Sequence, residues 1–165
     1  MPDMLVNLLD IPDERPLLES LLGKGIQIRR ALAPDKFRVV PWVQTNSGIS
    51  AAGECDVCFS HTPISCFLAT RGASIVGYAC YHATAPDFFG PTRVLDAEQK
   101  LGIGRALLLR SLRALRDEGY VYAIIGGVGP QEFYEKVVNA TLIADSTPGV
   151  YRDFIGALEK QQSPM

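Results

Sequence analysis

The order of apolar segments predicts an α/β domain, a mixed sheet with helices on both faces. Three observations carry this. Two apolar runs of strand length, 64–70 and 75–82, flank Arg71-Gly72-Ala73-Ser74 and read as an antiparallel hairpin. A long helical pattern over 102–118 is followed by a short β-rich run at 122–125 and a second helix opened by Pro130. The 165 residues are 47% apolar and 21% charged, which suits one globular domain with a sizeable core and excludes a disordered or fibrous chain.

Residues 4–9 suit a first strand. Pro12 and Asp13 open a helix whose stripe is Leu17, Leu18, Leu21 and Leu22, and Gly23 and Gly25 end it. Residues 26–29 read as a strand or an extended connector. Pro34 stands at the first position of a second amphipathic helix carrying Phe37, Val40 and Val43, which Pro41 kinks or shortens. Residues 45–52, rich in Ser, Gly, Asn and Thr, read as a mobile loop. The hairpin follows. Phe88-Phe89-Gly90-Pro91 reads as a turn, and 92–95 as a short strand.

The helix over 102–118 has Ile103, Leu107, Leu108, Leu112 and Leu115 on one side and Arg105, Arg110, Arg113 and Arg116 elsewhere. Gly119 caps it. Residues 122–125, bounded by Gly126 and Gly127, read as a buried strand. The helix from Pro130 runs to about Val138, where Asn139 tolerates the left-handed conformation of a cap. Residues 141–144 and 150–155 complete the sheet as strands, and 159–165 form a polar tail.

Sixteen basic and 18 acidic residues give a net charge of −2, which offers no electrostatic case for nucleic acid. No apolar run approaches the roughly 20 residues of a membrane helix, and the acidic N-terminal decapeptide is unlike a signal peptide. The chain reads as soluble and cytoplasmic. Cys55 and Cys58 form a C-x-x-C followed by His61, with Cys66, Cys80 and His82 as conceivable further ligands. The spacing is incomplete, and Cys66 and Cys80 lie in apolar runs, so the thiols read as structural and no metal is expected.

A strand ending near Leu95, a glycine-punctuated loop and a long helix together make an anion site. The first helical N–H groups lack intrahelical partners, and the macrodipole places positive charge there. Lys100 and Arg105 add to it. A Walker loop requires G-x-x-x-x-G-K-[ST], which is absent. A dinucleotide fingerprint fails because Leu107 holds the third glycine position and no acid follows about 20 residues on.

Gln99-Lys100-Leu101-Gly102-Ile103-Gly104, after Val94-Leu95-Asp96, resembles motif A (Q/R-x-x-G-x-G/A) of the GNAT superfamily of N-acetyltransferases. Glu132-Phe133-Tyr134-Glu135-Lys136 is similar to that superfamily's second helix motif, where a tyrosine faces the cofactor's sulfur. The resemblance implies a mostly antiparallel sheet of about six to seven strands with a V-shaped split between two parallel strands, those ending near Leu95 and Ile125. It implies one domain over 1–165, with acceptor-side helices in 1–60 and an acyl-CoA core in 64–155.

It further implies acetyl-CoA as co-substrate. The pantetheine arm pairs with Val94, Leu95 and Asp96, and the pyrophosphate sits on Gln99, Lys100, Leu101, Gly102, Ile103, Gly104 and Arg105. Gly127, Phe133 and Tyr134 are further cofactor-binding positions, with Tyr134 facing the sulfur. Two departures stand out: Gly126-Gly127 replaces an asparagine that touches pantetheine in many members, and Asn139 replaces a glycine. A homodimer is compatible with the resemblance.

Acyl transfer to a primary amine of a small molecule or peptide, by direct attack in a ternary complex, needs a neutral amine. An amine with a lysine-like pKa is about 99.9% protonated at pH 7, a penalty of roughly 4 kcal/mol. A carboxylate can accept that proton. Glu54, Asp87, Asp96 and Glu98 are candidates, and Glu54, beyond the 45–52 segment, ranks first. Tyr134 is the candidate acid for the leaving thiolate. His82 is a weaker candidate base, and Tyr151 a residue that closes over the acceptor. The alternative reading is a non-catalytic acyl-CoA-binding or sensing module.

Overall fold

The computed structural model describes residues 1–163; Pro164 and Met165, the end of the expected polar tail, lie outside them. A seven-stranded sheet runs in the order β2-β3-β4-β5-β6-β1-β7. The strands are β1 Met4–Asn7, β2 Ile26–Arg30, β3 Cys66–Arg71, β4 Ser74–Tyr81, β5 Phe88–Val94, β6 Tyr122–Ile125 and β7 Thr141–Leu142. The helices are α1 Arg15–Gly23, α2 Lys36–Ser47, α3 Ile49–Cys58, α4 Ile103–Asp117, α5 Gln131–Val138 and α6 Ile155–Gln162. Every neighbouring strand pair is antiparallel except β5 and β6.

The hairpin β3–β4 is buried on both faces, which explains its continuous apolar runs. Side chains alternate along a strand. Cys66, Leu68, Tyr78 and Cys80 therefore face one core with α2 and α3, while Phe67, Ala69, Ala79 and Tyr81 face a larger core under α4. The α4 stripe is as the pattern predicts, with Ile103, Leu107, Leu108, Leu112 and Leu115 each at most 1% exposed. Each such side chain contributes about 1.5–3 kcal/mol of burial. Its arginines tie down the N-terminal segment: Arg116 donates to the Leu8 carbonyl at 2.9 Å, and Arg110 and Arg113 flank buried Glu14.

Four expectations are corrected. Residues 45–52 are not a loop, because α2 and α3 meet there and break only at Gly48, whose φ of 98° ends one helix before the next begins. Ala51 and Ala52 are buried, so this polar-looking stretch carries an apolar face. In α2 the buried residues are Val39 and Val43, whereas Phe37 is 86% exposed. Pro41 sits on the exposed side of the helix, where the hydrogen bond it cannot donate is not a buried one.

Residues 88–91 are not a turn but the first half of β5. Pairing with β6 is confined to Phe88↔Ile124 and Phe89↔Ile125, and the register against β4 shifts between Ala79 and Tyr81. Gly90 (φ 118°) and Pro91, which has no N–H for a ladder, stand where the β6 pairing ends. The two parallel strands separate from that point. Residues 150–155 are not a strand: Gly149–Tyr151 is a single 3-10 turn leading towards α6. The sheet position beside β6 is filled by β1, which lies between β6 and β7.

Candidate active site at the split in the sheet

Beyond Phe89, one edge of β5 carries no strand, and the other stays on β4 as far as Leu95, whose N–H donates to Val76 at 2.9 Å. Val94 and Leu95 pack partly against the core, and Asp96 is exposed. The loop then turns into α4. The N–H groups of residues 100–105 donate to no protein acceptor among the described residues; the first to bond is Ala106, to the Gly102 carbonyl at 3.0 Å. Leu101 and Ile103 turn inward, leaving the backbone outward. Lys100 and Arg105 are exposed and join no ion pair among the described residues. Gln99 donates to Asp96 at 3.2 Å. A row of free donors with two free cations makes an anion cradle.

The glycines of this loop have a second purpose. Gly102 has φ 93°, and a Cβ there would lie 2.9 Å from Leu17 Cδ1 on α1. Its lack of a side chain admits α1 and a left-handed entry into the helix. Gly104 is less constrained, since a Cβ would meet only Val94 Cγ2 at 3.8 Å.

Tyr134 is buried on α5, edge-on to Phe89 at 6.4 Å and to Phe133 at 5.1 Å between ring centroids. It therefore stands on the last paired residue of β5, at the fork. Burial pushes its hydroxyl up to about 12. Glu54 reaches the fork from α3. It accepts hydrogen bonds from Thr84 Oγ1, in the β4–β5 loop, and from Tyr151 Oη at 3.0 Å. The Tyr151 ring covers Gly127, where a Cβ would lie 3.4 Å away, and burial raises this phenol also to about 12. Gly127 (φ 56°) donates its N–H to Asp3 Oδ1 at 2.9 Å.

The other titratable candidates are committed elsewhere. Glu98 pairs with Arg71 at 2.8 Å, and Asp96 lies beside Gln99 and Arg93. His82 accepts the Asp87 N–H on Nδ1 at 2.8 Å, so its proton is on Nε2, which donates to Glu118 at 2.6 Å. With both nitrogens engaged it has none to offer as a base. Asp87 adopts φ 65° and leaves buried Oδ1 without a hydrogen-bond partner among the described residues, and burial raises its carboxyl from 3.8 to about 6.

A raised carboxyl value favours the fold below the unfolded value of 3.8, an advantage lost as pH climbs through about 6. Asp87→Asn is expected to flatten the dependence of Tm on pH between these values and to be the more stable protein above pH 6, because asparagine also tolerates positive φ. Thermal melts from pH 4 to 8 check this; parallel profiles for the two proteins would refute it.

Asp3 and Thr84 join the cluster without any local signal. Asp3 is placed by the insertion of β1 beside β6, and Thr84 by the loop between two strands.

No protein-family model and no curated protein matches the chain. Solved structures do. A GCN5-related glucosamine N-acetyltransferase region of a fungal multi-domain GH3 β-N-acetylglucosaminidase superposes with a TM-score of 0.68 at 12% identity, over 86% of this chain and 19% of that one. A GCN5-related N-acetyltransferase from Sphaerobacter thermophilus gives 0.58 at 18% identity, over 86% of this chain and 48% of that one. A Drosophila protein gives 0.62 at 16%, over 86% and 47%. The chain thus spans less than half the length of each. The mixed sheet, with its one parallel pair opening into a split, is the GNAT N-acetyltransferase fold.

Proposed function

We propose that the chain transfers an acetyl or other acyl group from acyl-CoA, acetyl-CoA in the simplest case, to a primary amine of a small molecule or peptide. The observation that carries this reading is the split beyond Phe89, which leads without obstruction by a strand to the unpaired N–H groups of residues 100–105. The pantetheine arm pairs with the open β5 edge at Val94, Leu95 and Asp96. The pyrophosphate accepts from the loop N–H groups, with Lys100 and Arg105 supplying charge.

In the ternary complex the amine attacks the thioester carbonyl. The N–C bond forms, the C–S bond breaks, and the amine's proton passes to Glu54 directly or through one water. The carbonyl oxygen is held by backbone N–H where β5 leaves β6. Tyr134 serves the leaving sulfur. With its hydroxyl at about 12, outright protonation of a thiolate of ordinary pKa would cost about 5 kcal/mol. Burial raises a thiol in the same cleft too, which narrows that gap. Tyr134 therefore acts first as a hydrogen-bond donor to developing negative charge.

Tyr134→Phe is expected to lower kcat about 10–100-fold, the value of a hydrogen bond to a charged group. The phenol stays protonated up to about 12, so activity does not fall on its account at pH 10. Undiminished turnover, or an alkaline limb near pH 10 that the substitution abolishes, would remove Tyr134 from this role.

The second reading, a non-catalytic acyl-CoA module, draws on Gly127: its N–H is already held by Asp3, so the β6 wall of the split offers one donor fewer. Thiol release from acetyl-CoA over a broad amine panel, beside acetyl-CoA binding, separates the two. Tight binding with no release for any amine points to the module. Absence of binding defeats both.

A further inference from the structure

All four cysteines of the chain are buried in one place, the smaller core between α2–α3 and the sheet. Cys55 comes from α3, Cys66 from β3 and Cys80 from β4, and their Sγ atoms lie within 4.8 Å of one another. Cys66 and Cys80 are directly opposed on the two strands. The Cys66 carbonyl accepts from Ala31 on the β2 side, and it is the neighbouring Ser65 carbonyl that accepts from Tyr81. The pair is thus a non-hydrogen-bonded one, the type in which facing side chains come closest. Cys55 caps this pair from above. Cys58, one helical turn on, directs its thiol at the carbonyls of Glu54 and Tyr81, at 3.7 and 3.8 Å. His61 takes no part, its Nδ1 lying 2.9 Å from Ser65 Oγ.

We propose that Cys55, Cys66 and Cys80 form a three-sulfur site for one soft closed-shell cation, Cu(I), pinning α3 to the β3–β4 hairpin. A metal–sulfur distance of about 2.3 Å places the sulfurs of a trigonal site about 4.0 Å apart. The observed cluster needs to contract by less than about 1 Å to reach it. Among the residues clustered there, Ala31, Val39, Val43 and Leu68 carry no ligand atom on their side chains, and the Cys58 thiol points to the Glu54 and Tyr81 carbonyls. That favours a cation content with three sulfurs over zinc, which takes four ligands in structural sites.

Binding forms three Cu–S bonds and expels thiol protons to solvent, with no change of oxidation state. The site is independent of the proposed acyl transfer, although Glu54 is the residue before Cys55.

The thiols are fully buried, so loading is tested during refolding. The full chain is unfolded and refolded anaerobically with Cu(I) or Zn(II), then dialysed against a competing chelator. About one equivalent of Cu(I) is expected to remain, with a higher Tm than the metal-free protein. Cys58→Ala should keep the ion and Cys66→Ala should lose it. X-ray absorption on the wild-type protein should show three sulfur neighbours, a readout that does not depend on any variant folding. Wild-type protein that retains no more Cu(I) than Cys66→Ala, retention without a rise in Tm, or a shell of other than three sulfurs would overturn the proposal.

Discussion

Glu54→Gln is expected to lower kcat at pH 7 by about 10²–10⁴-fold, the range for loss of a general base. Glutamine keeps the shape of the side chain, and its carbonyl oxygen can still accept from Thr84 and Tyr151, so the geometry around the fork survives. What is lost is proton acceptance. The deficit should therefore shrink as pH approaches the pKa of the acceptor amine, where neutral amine forms without help. A structural defect would leave the deficit the same at every pH. Turnover equal to wild type at pH 7 would take Glu54 out of the reaction altogether. Tyr151 should act through Glu54, since it reaches the site by its hydrogen bond to that carboxylate and by covering Gly127.

The largest loss of stability is expected at Gly102. A valine there must hold φ near 93° and place its Cβ 2.9 Å from Leu17 Cδ1. Left-handed backbone strain and overpacking together cost about 2–5 kcal/mol, a fall in Tm of roughly 5–15 °C for a domain of this size. The two contributions separate in a double-mutant cycle. Leu17→Ala removes the clash and not the strain, so it should recover only part of the loss in the Gly102→Val background. Acetyl-CoA affinity should fall as well, because the N–H groups of residues 103–105 are aimed by this entry into α4. A Gly102→Val protein with unchanged Tm would refute the account of the loop.

Legibility in the sequence followed the range of the interactions. The β3–β4 hairpin, the α4 stripe, β6 and the Asn139 cap (φ 54°) depend on neighbours a few residues away, and all were readable. The failures were at glycine and proline. Gly90-Pro91 reads as a turn from its composition, and only the partner strands reveal it as the bulged middle of β5. Gly48 suggests a loop, but the alanines behind it pack against the sheet and keep both sides helical.

The candidate site divides in the same way. The stretch 94–105 is continuous in the chain and announces itself. Glu54 with Thr84, Tyr151 and Asp3 comes from four distant places, and only Glu54 and Tyr151 carry a signal in the sequence, a chemical one. Residues 150–155 have strand-like composition, but the sheet position beside β6 already has an occupant from the other end of the chain.

That occupant sets an order of events during synthesis. β1 leaves the ribosome before either of its partners, with both edges of backbone unsatisfied, and Ile125 and Leu142 follow more than a hundred residues later. The hairpin β3–β4 and α4 can associate meanwhile, since their contacts are closer in sequence. The half of the sheet that holds Gly127 and Asp3 cannot close until Leu142 has emerged. Pairings this distant slow folding and leave a strand open to wrong partners in the interval. The contact between Asp3 and Gly127 therefore forms only after the loop of residues 100–105 and the start of its helix have emerged.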